Sequence, residues 1–302
     1  MKVRIKKHPY DFNPRDRAKA EETFKATWTQ FRDALARKDF KYDETEKALD
    51  TTFLKAFNQM FLAVGKEKLA TELTDIFDNN VIGRGSKLKP GEATPFSRFT
   101  PIAEFIKDDN RFSPPGIEWL YLAIGDTDEH IKRCAEAECR AEKGDRFGFC
   151  HFKSNASHEG VKIVDLTKMS DEDYDTINSE LSSAFESKKT NAVRDILSSG
   201  NYSKANIDKT VAQYKEKFKI DTELWMLKTY SNMLSELIFV PIEDSDKNLE
   251  YAPFQTMAKY FEGHGFGGII YKSTRYPNAK NLVLFEKNYA TPFGTIEDYV
   301  IE

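Results

Sequence analysis

The sequence predicts an α+β fold: a helical N-terminal region, then a mixed β core that carries a long helical insertion. Three observations support this. Apolar and aromatic residues recur at helical spacing through residues 14 to 77. From Val81 the texture changes to short apolar runs separated by Gly and Pro. Between Leu166 and Leu237 the chain is charged, Ser-rich and helix-patterned again. The expected division is a helical region over 1–78 and a core over 79–302, with the insertion at about 168–235.

In the first region, Phe24, Thr27, Trp28, Phe31 and Leu35 mark one helical face. After a polar break around Asp39 to Thr45, Phe53, Leu54, Phe57, Met60, Phe61 and Val64 mark another. Leu69 to Phe77 adds a further amphipathic turn or two. Such an aromatic stripe is expected to pack against the rest of the chain or a partner. The core strands are expected at Ile117 to Ala123, Phe147 to Phe152, Lys162 to Leu166, Leu237 to Pro241, Gly268 to Tyr271 and Leu282 to Phe285. Within the insertion, Ser170-Asp171-Glu172-Asp173 is a helix start, and Leu224, Trp225, Leu227, Tyr230 and Leu234 form an amphipathic run. Phe254, Met257, Ala258 and Phe261 define a helix that ends at a glycine-rich turn. The strand after it delivers Ser273 to a loop, where functional groups are usually presented.

Composition narrows the function classes. A chain of 302 residues with 40% hydrophobic and 31% charged residues fits a globular protein of one large or two modest domains. A formal net charge of −4 argues against general nucleic-acid affinity. The Lys-rich start (Lys2, Arg4, Lys6, Lys7) has no apolar stretch behind it, and no run approaches a transmembrane helix. With three cysteines suited to a reducing compartment, the chain is expected in the cytoplasm, away from membranes. Cys134 and Cys139 are five apart, no second ligand pair answers them, His130 falls in a turn and His151 in an apolar strand, so no metal site is expected. Cys150 is read with the other cysteines as a small buried hydrophobe. His8, His158 and His264 have no obvious partners and read as surface residues.

Five motifs stand in order along the core. Gly83-Arg84-Gly85-Ser86 follows an apolar strand. Asn110-Arg111-Phe112-Ser113-Pro114-Pro115-Gly116-Ile117 precedes Leu120-Tyr121-Leu122-Ala123. Ala137-Glu138-Cys139-Arg140 lies on a helix, and Val164-Asp165-Leu166 on a strand. Finally come Tyr251-Ala252-Pro253-Phe254-Gln255, Gly265 through Tyr271-Lys272-Ser273, and Asn281-Leu282-Val283-Leu284-Phe285. Over about residues 79 to 290, with one long interruption, this series resembles the RES domain, a family named for an arginine, a glutamate and a serine. The resemblance implies a β core similar to ADP-ribosyltransferases, and NAD as substrate rather than as cofactor. It also implies an NAD-degrading toxin, commonly paired with a neutralising antitoxin.

The residue chemistry agrees with that substrate. Arg84 and Arg111 offer two planar cationic forks for a diphosphate. Tyr121 offers a ring for stacking. Glu138 can stabilise positive charge as a glycosidic bond breaks, and Ser273 can hydrogen-bond a ribose or amide group. The resemblance adds Asn281 to the substrate contacts and places Arg84, Glu138 and Ser273 in catalysis. Each residue alone has a plainer reading. Arg111 could cap a helix or pair with Asp108 or Asp109. Tyr121 could be core, Ser273 a strand cap, and Glu138 one of several solvated charges with Arg133, Glu136 and Arg140. Because the segment from Tyr121 to Glu138 is longer than the family's, Glu136 is a rival, and the two cannot both face one site from a helix. Arg98 is the rival to Arg84. Gly263 to Gly268 follows a helix and precedes a strand, the reverse of a dinucleotide turn, and Gly83 to Lys87 lacks P-loop spacing. The expected reaction is hydrolysis or phosphorolysis of the nicotinamide–ribose bond. The alternatives are ADP-ribosyl transfer to a protein, or an inactive module that binds an antitoxin-like partner.

Overall fold

A computed structural model describes residues 16–155, 159–242 and 246–302. His8 and His158 lie outside the described residues. The fold is α+β, built on one mixed eight-stranded sheet. The chain forms two compact units that are interleaved rather than cut at residue 78. The first joins the N-terminal segment through Trp28 to Thr52–Lys68 and Lys168–Ile238; the second takes Thr29–Thr51, Leu69–Thr167 and Phe239–Glu302.

The helices are α1 (Arg17–Ala36), α2 (Thr45–Ala48), α3 (Thr52–Met60), α4 (Lys66–Lys68), α5 (Leu73–Asn79), α6 (Asp128–Glu138), α7 (Tyr174–Ser199), α8 (Lys204–Met233) and α9 (Lys247–Gly263). The first unit is helical. Its aromatic stripe closes on itself: Phe24, Phe53 and Phe57 pack their rings around Tyr230 of α8 at centroid distances of 4.9, 5.0 and 5.3 Å. The insertion forms the helices expected. Asp173 caps α7 by accepting from Thr176 N–H, Gly200 ends that helix in the left-handed region at φ 64°, and Ser203 caps α8.

The second unit holds the whole sheet. Its strands are β1 (Ala70–Glu72), β2 (Val81–Leu88), β3 (Leu120–Gly125), β4 (Arg146–Ser154), β5 (Lys162–Asp165), β6 (Gly268–Lys272), β7 (Lys280–Leu284) and β8 (Ala290–Val300). Their order is β1-β5-β6-β7-β3-β2-β4-β8. Every neighbouring pair is antiparallel except β5–β6. Parallel neighbours need a long crossover, and the chain from Leu166 to Gly267 supplies it. Period-two alternation separates two buried clusters. Leu120, Leu122, Ile124, Leu282 and Leu284 belong to one, and Ala123, Phe147 and Phe149 to the other, with Ile131, Cys134 and Ala135 of α6 packed over them.

Three expectations are corrected. Ala70–Glu72 is a short strand, although helical spacing runs through Leu69 to Phe77. Leu237 to Pro241 is not a strand: Leu234–Ile238 continues α8 as a π-helical turn. A short buried apolar run has no periodicity that separates strand from helix. His130 sits in the first turn of α6, not in an irregular turn.

Candidate active site

β2 and β3 part company early. They pair at Val81↔Gly125, Ile82↔Ile124 and Gly83↔Ala123, after which β2 pairs only with β4 and β3 only with β7. A cleft of about 260 Å³ lies at this fork, lined by Arg84 and Gly85 from β2 and by Tyr121 to Ala123 from β3. Arg84 is thus mid-strand, not at a strand end as expected, but it is the first residue past the fork. The glycines beside it are packing requirements. A Cβ on Gly83 would stand 2.2 Å from the Phe149 ring, and one on Gly85 2.3 Å from the Phe147 ring.

Helix α6 brings the carboxylate. The Thr127 hydroxyl caps it by accepting from His130 N–H, and Asp128 and Glu129 in its first turn suit the positive end of its dipole. Cys134 and Ala135 face the sheet, so Glu138, four and three residues on, lies on the same side and lines the cleft. Glu136 points elsewhere, accepting from Arg133 at 3.1 Å and from the Tyr299 hydroxyl at 2.8 Å. The last turn of a helix is an unfavourable place for an anion, and two donors offset this. The Ser273 hydroxyl at 2.6 Å and Asn281 Nδ2 at 2.7 Å both donate to Glu138 Oε1.

The geometry fixes the direction of the serine proton. Ser273 Oγ accepts backbone N–H bonds from Arg275 and Tyr276 at 3.1 and 3.0 Å, which use its lone pairs. Its one proton goes to Glu138. Ser273 thereby caps its turn and holds the glutamate. Asn281, on β7 opposite Ala123 and Tyr271, does line the cleft. Its Oδ1 accepts from Cys134 Sγ at 3.6 Å. Glu138 Oε2 makes no hydrogen bond to the described residues.

Arg111 is 8% exposed and pairs with neither Asp108 nor Asp109. Its Nη2 donates to the Val240 carbonyl at 3.0 Å and to Thr274 Oγ1 at 3.2 Å. Its guanidinium carbon lies 5.5, 5.4 and 5.1 Å from the ring centroids of Phe239, Tyr251 and Phe254. Gln255, one turn beyond Tyr251 on α9, donates to Asp109 Oδ1 at 2.9 Å and to the Asn110 carbonyl at 3.2 Å, which ties down the turn that carries Arg111. Burial pulls the Arg111 pKa down; nearby Tyr251, Tyr271 and Glu138 oppose this and Arg275 adds to it. Burial likewise lowers that of Arg84. Each arginine leaves a buried Nη1 without a partner among the described residues. Both line the cleft. The rival Arg98 is satisfied elsewhere, by Glu92 Oε1 at 2.6 Å and the Lys87 carbonyl at 3.1 Å.

Tyr121 lines the cleft and its hydroxyl bonds Ser113 Oγ at 2.9 Å; burial raises its pKa. Thr274 and the Val240 carbonyl are additions that sequence reasoning missed, and Gln255 stood in the last motif without a role. Gln255 had a signal, since Tyr251 and Gln255 are four apart on one helical face. Carbonyl groups carry none. His151 pairs with Asp128 Oδ1 at 3.0 Å, and His264 is half-buried with Nδ1 on the Tyr260 carbonyl at 2.8 Å, not a partnerless surface residue. Among the described residues no three His, Cys, Asp or Glu side chains gather as a metal-binding group. No helix among them is long and apolar enough to cross a membrane. Compared with protein-family models, with curated proteins and with solved structures, the chain matches none.

Proposed function

We propose that this chain is an NAD-consuming enzyme of RES type, an NAD glycohydrolase or NAD phosphorylase that acts as a toxin or defence effector. One observation carries the reading: Arg84 and Arg111, each with a buried Nη1 that has no partner among the described residues, share a cleft with Glu138, whose Oε2 makes no hydrogen bond to those residues. Unpaired buried guanidinium nitrogens are costly, and a diphosphate would satisfy them with charge-assisted bonds. The ring of Tyr121 offers a stacking surface for nicotinamide.

The chemistry follows from charge. As the bond from ribose C1′ to the nicotinamide nitrogen breaks, its electron pair goes to the pyridinium, which leaves neutral. Positive charge then develops at C1′ and its ring oxygen. Glu138, already held by Ser273 and Asn281, stabilises that charge without reorganising. Either water then forms the new C1′–O bond and releases a proton to solvent, or an ionised oxygen of phosphate forms it directly with no proton to lose. A volume of about 260 Å³ is below the roughly 300–1,000 Å³ of pockets that enclose a whole drug-sized ligand, so the cleft takes the reacting end of the dinucleotide.

The test is to incubate the purified protein with NAD, with and without inorganic phosphate, and to identify the products. Nicotinamide with free ADP-ribose indicates hydrolysis, and a phosphorylated ADP-ribose indicates phosphorolysis. Label appearing on protein would instead indicate an ADP-ribosyltransferase. Intact NAD after prolonged incubation would overturn the proposal.

A further inference from the structure

Five cationic side chains line the cleft, Arg84, Arg111, Arg140, Lys247 and Arg275, against two carboxylates, Asp109 and Glu138. Asp109 is engaged: its Oδ1 accepts from Gln255 and its Oδ2 from Asn248 at 3.3 Å. Glu138 faces the ribose in the reading above. Cations thus outnumber carboxylates in the lining, and the excess positive charge suits an anion brought from outside.

Arg275 is the cation left without a task. It lies two residues past Ser273, its backbone N–H is fixed on Ser273 Oγ, and its half-buried side chain lines the cleft. That side chain makes no hydrogen bond or ion pair with the described residues. Thr274, the residue between, donates no proton to Arg111 but accepts one from its Nη2. One short turn thus positions the glutamate through Ser273, orients Arg111 through Thr274 and offers a third guanidinium at Arg275. Arg111 and Arg275 feel each other's charge, a repulsion that a ligand with two adjacent negative groups would reverse.

We infer that Arg275 is a third phosphate-binding residue of this cleft and that, with Arg84 and Arg111, it makes a subsite for a pyrophosphate-linked ligand. The inference rests on the NAD reading for the ligand's full identity but not for the anion. Planar guanidinium groups suit the bidentate, multi-oxygen contacts of linked phosphates.

The experiment is calorimetric titration of the full chain with inorganic pyrophosphate, ADP-ribose and nicotinamide riboside. It compares wild type with Arg275→Gln and Arg275→Lys, with melting temperatures confirming that all three are folded. Wild type should bind pyrophosphate and ADP-ribose. Arg275→Gln should bind both roughly 10-fold or more weakly, as expected on losing a charge-assisted contact, while Arg275→Lys keeps part of the affinity. Nicotinamide riboside, which has no phosphate, should bind wild type and Arg275→Gln alike. Equal pyrophosphate affinity of wild type and Arg275→Gln, or no pyrophosphate binding by wild type, would overturn the assignment. A protein that binds pyrophosphate through Arg275 yet leaves NAD intact would retire the NAD reading and keep the subsite.

Discussion

Glu138 shows how much of a candidate site depends on the side chains that hold its carboxylate in place. Its Oε1 is held by Ser273 and Asn281, while its Oε2 makes no hydrogen bond to the described residues. With two backbone N–H groups on its lone pairs, Ser273 acts towards Glu138 as a donor. Ser273→Ala removes one charge-assisted bond of about 1.5–3 kcal/mol. At roughly 1.4 kcal/mol per tenfold, turnover of NAD should fall by about 10-fold to 100-fold, with KM changing less. Steady-state kinetics would show this, and a Ser273→Ala enzyme as fast as wild type would remove Ser273 from the mechanism.

At the scale of elements, the fork between β2 and β3 and the approach of α6 depend on side chains being absent. Gly83 and Gly85 leave room for Phe149 and Phe147, and Gly268 lets β6 lie against β7, where an added Cβ would stand 2.2 Å from the Val283 carbonyl oxygen. Backbone cannot swing aside as a side-chain tip can. Gly268→Ala should therefore destabilise by at least the ~1–3 kcal/mol typical of overpacking, whereas Gly263→Ala, with nothing within 4 Å of its new methyl, should be neutral or slightly stabilising. Urea denaturation of the two variants checks this, and equal stability would refute the packing account. Most of these elements were legible: the helix that carries Glu136 and Glu138, both insertion helices, and β6 leading to Ser273. The sequence was silent where contact partners are distant in the chain. Nothing local shows that Phe239 and Val240 leave the end of α8 to reach Arg111, nor that β2 and β3 separate after three pairs. Arg84 read as a strand end because it follows the apolar Val81 and Ile82, and the Phe149 and Phe147 rings over Gly83 and Gly85 show why the strand runs on through glycines.

At the scale of the whole molecule, the division at residue 78 gave way to interleaving. Only part of the N-terminal stripe shares a unit with the insertion: Phe24, Phe53 and Phe57 pack on Tyr230, whereas Phe31 and Leu35 fall in the other unit. The candidate cleft is built from the other unit alone, since every residue lining it falls within Leu69–Thr167 or Phe239–Glu302. Separation in sequence hides this grouping, because helical periodicity reports a buried face but not what covers it.

The central claim is that the cleft cleaves NAD through Glu138, and the most direct measurement is nicotinamide released from NAD by purified wild-type, Glu138→Gln and Glu136→Gln proteins. Glu138→Gln keeps the shape and removes the charge. Wild type should release nicotinamide, and Glu138→Gln should do so roughly 10²–10³-fold more slowly with little change in NAD affinity. Glu136→Gln, which points to Arg133 and Tyr299, should match wild type. No release by wild type, or a Glu138→Gln protein as active as wild type, would contradict the claim.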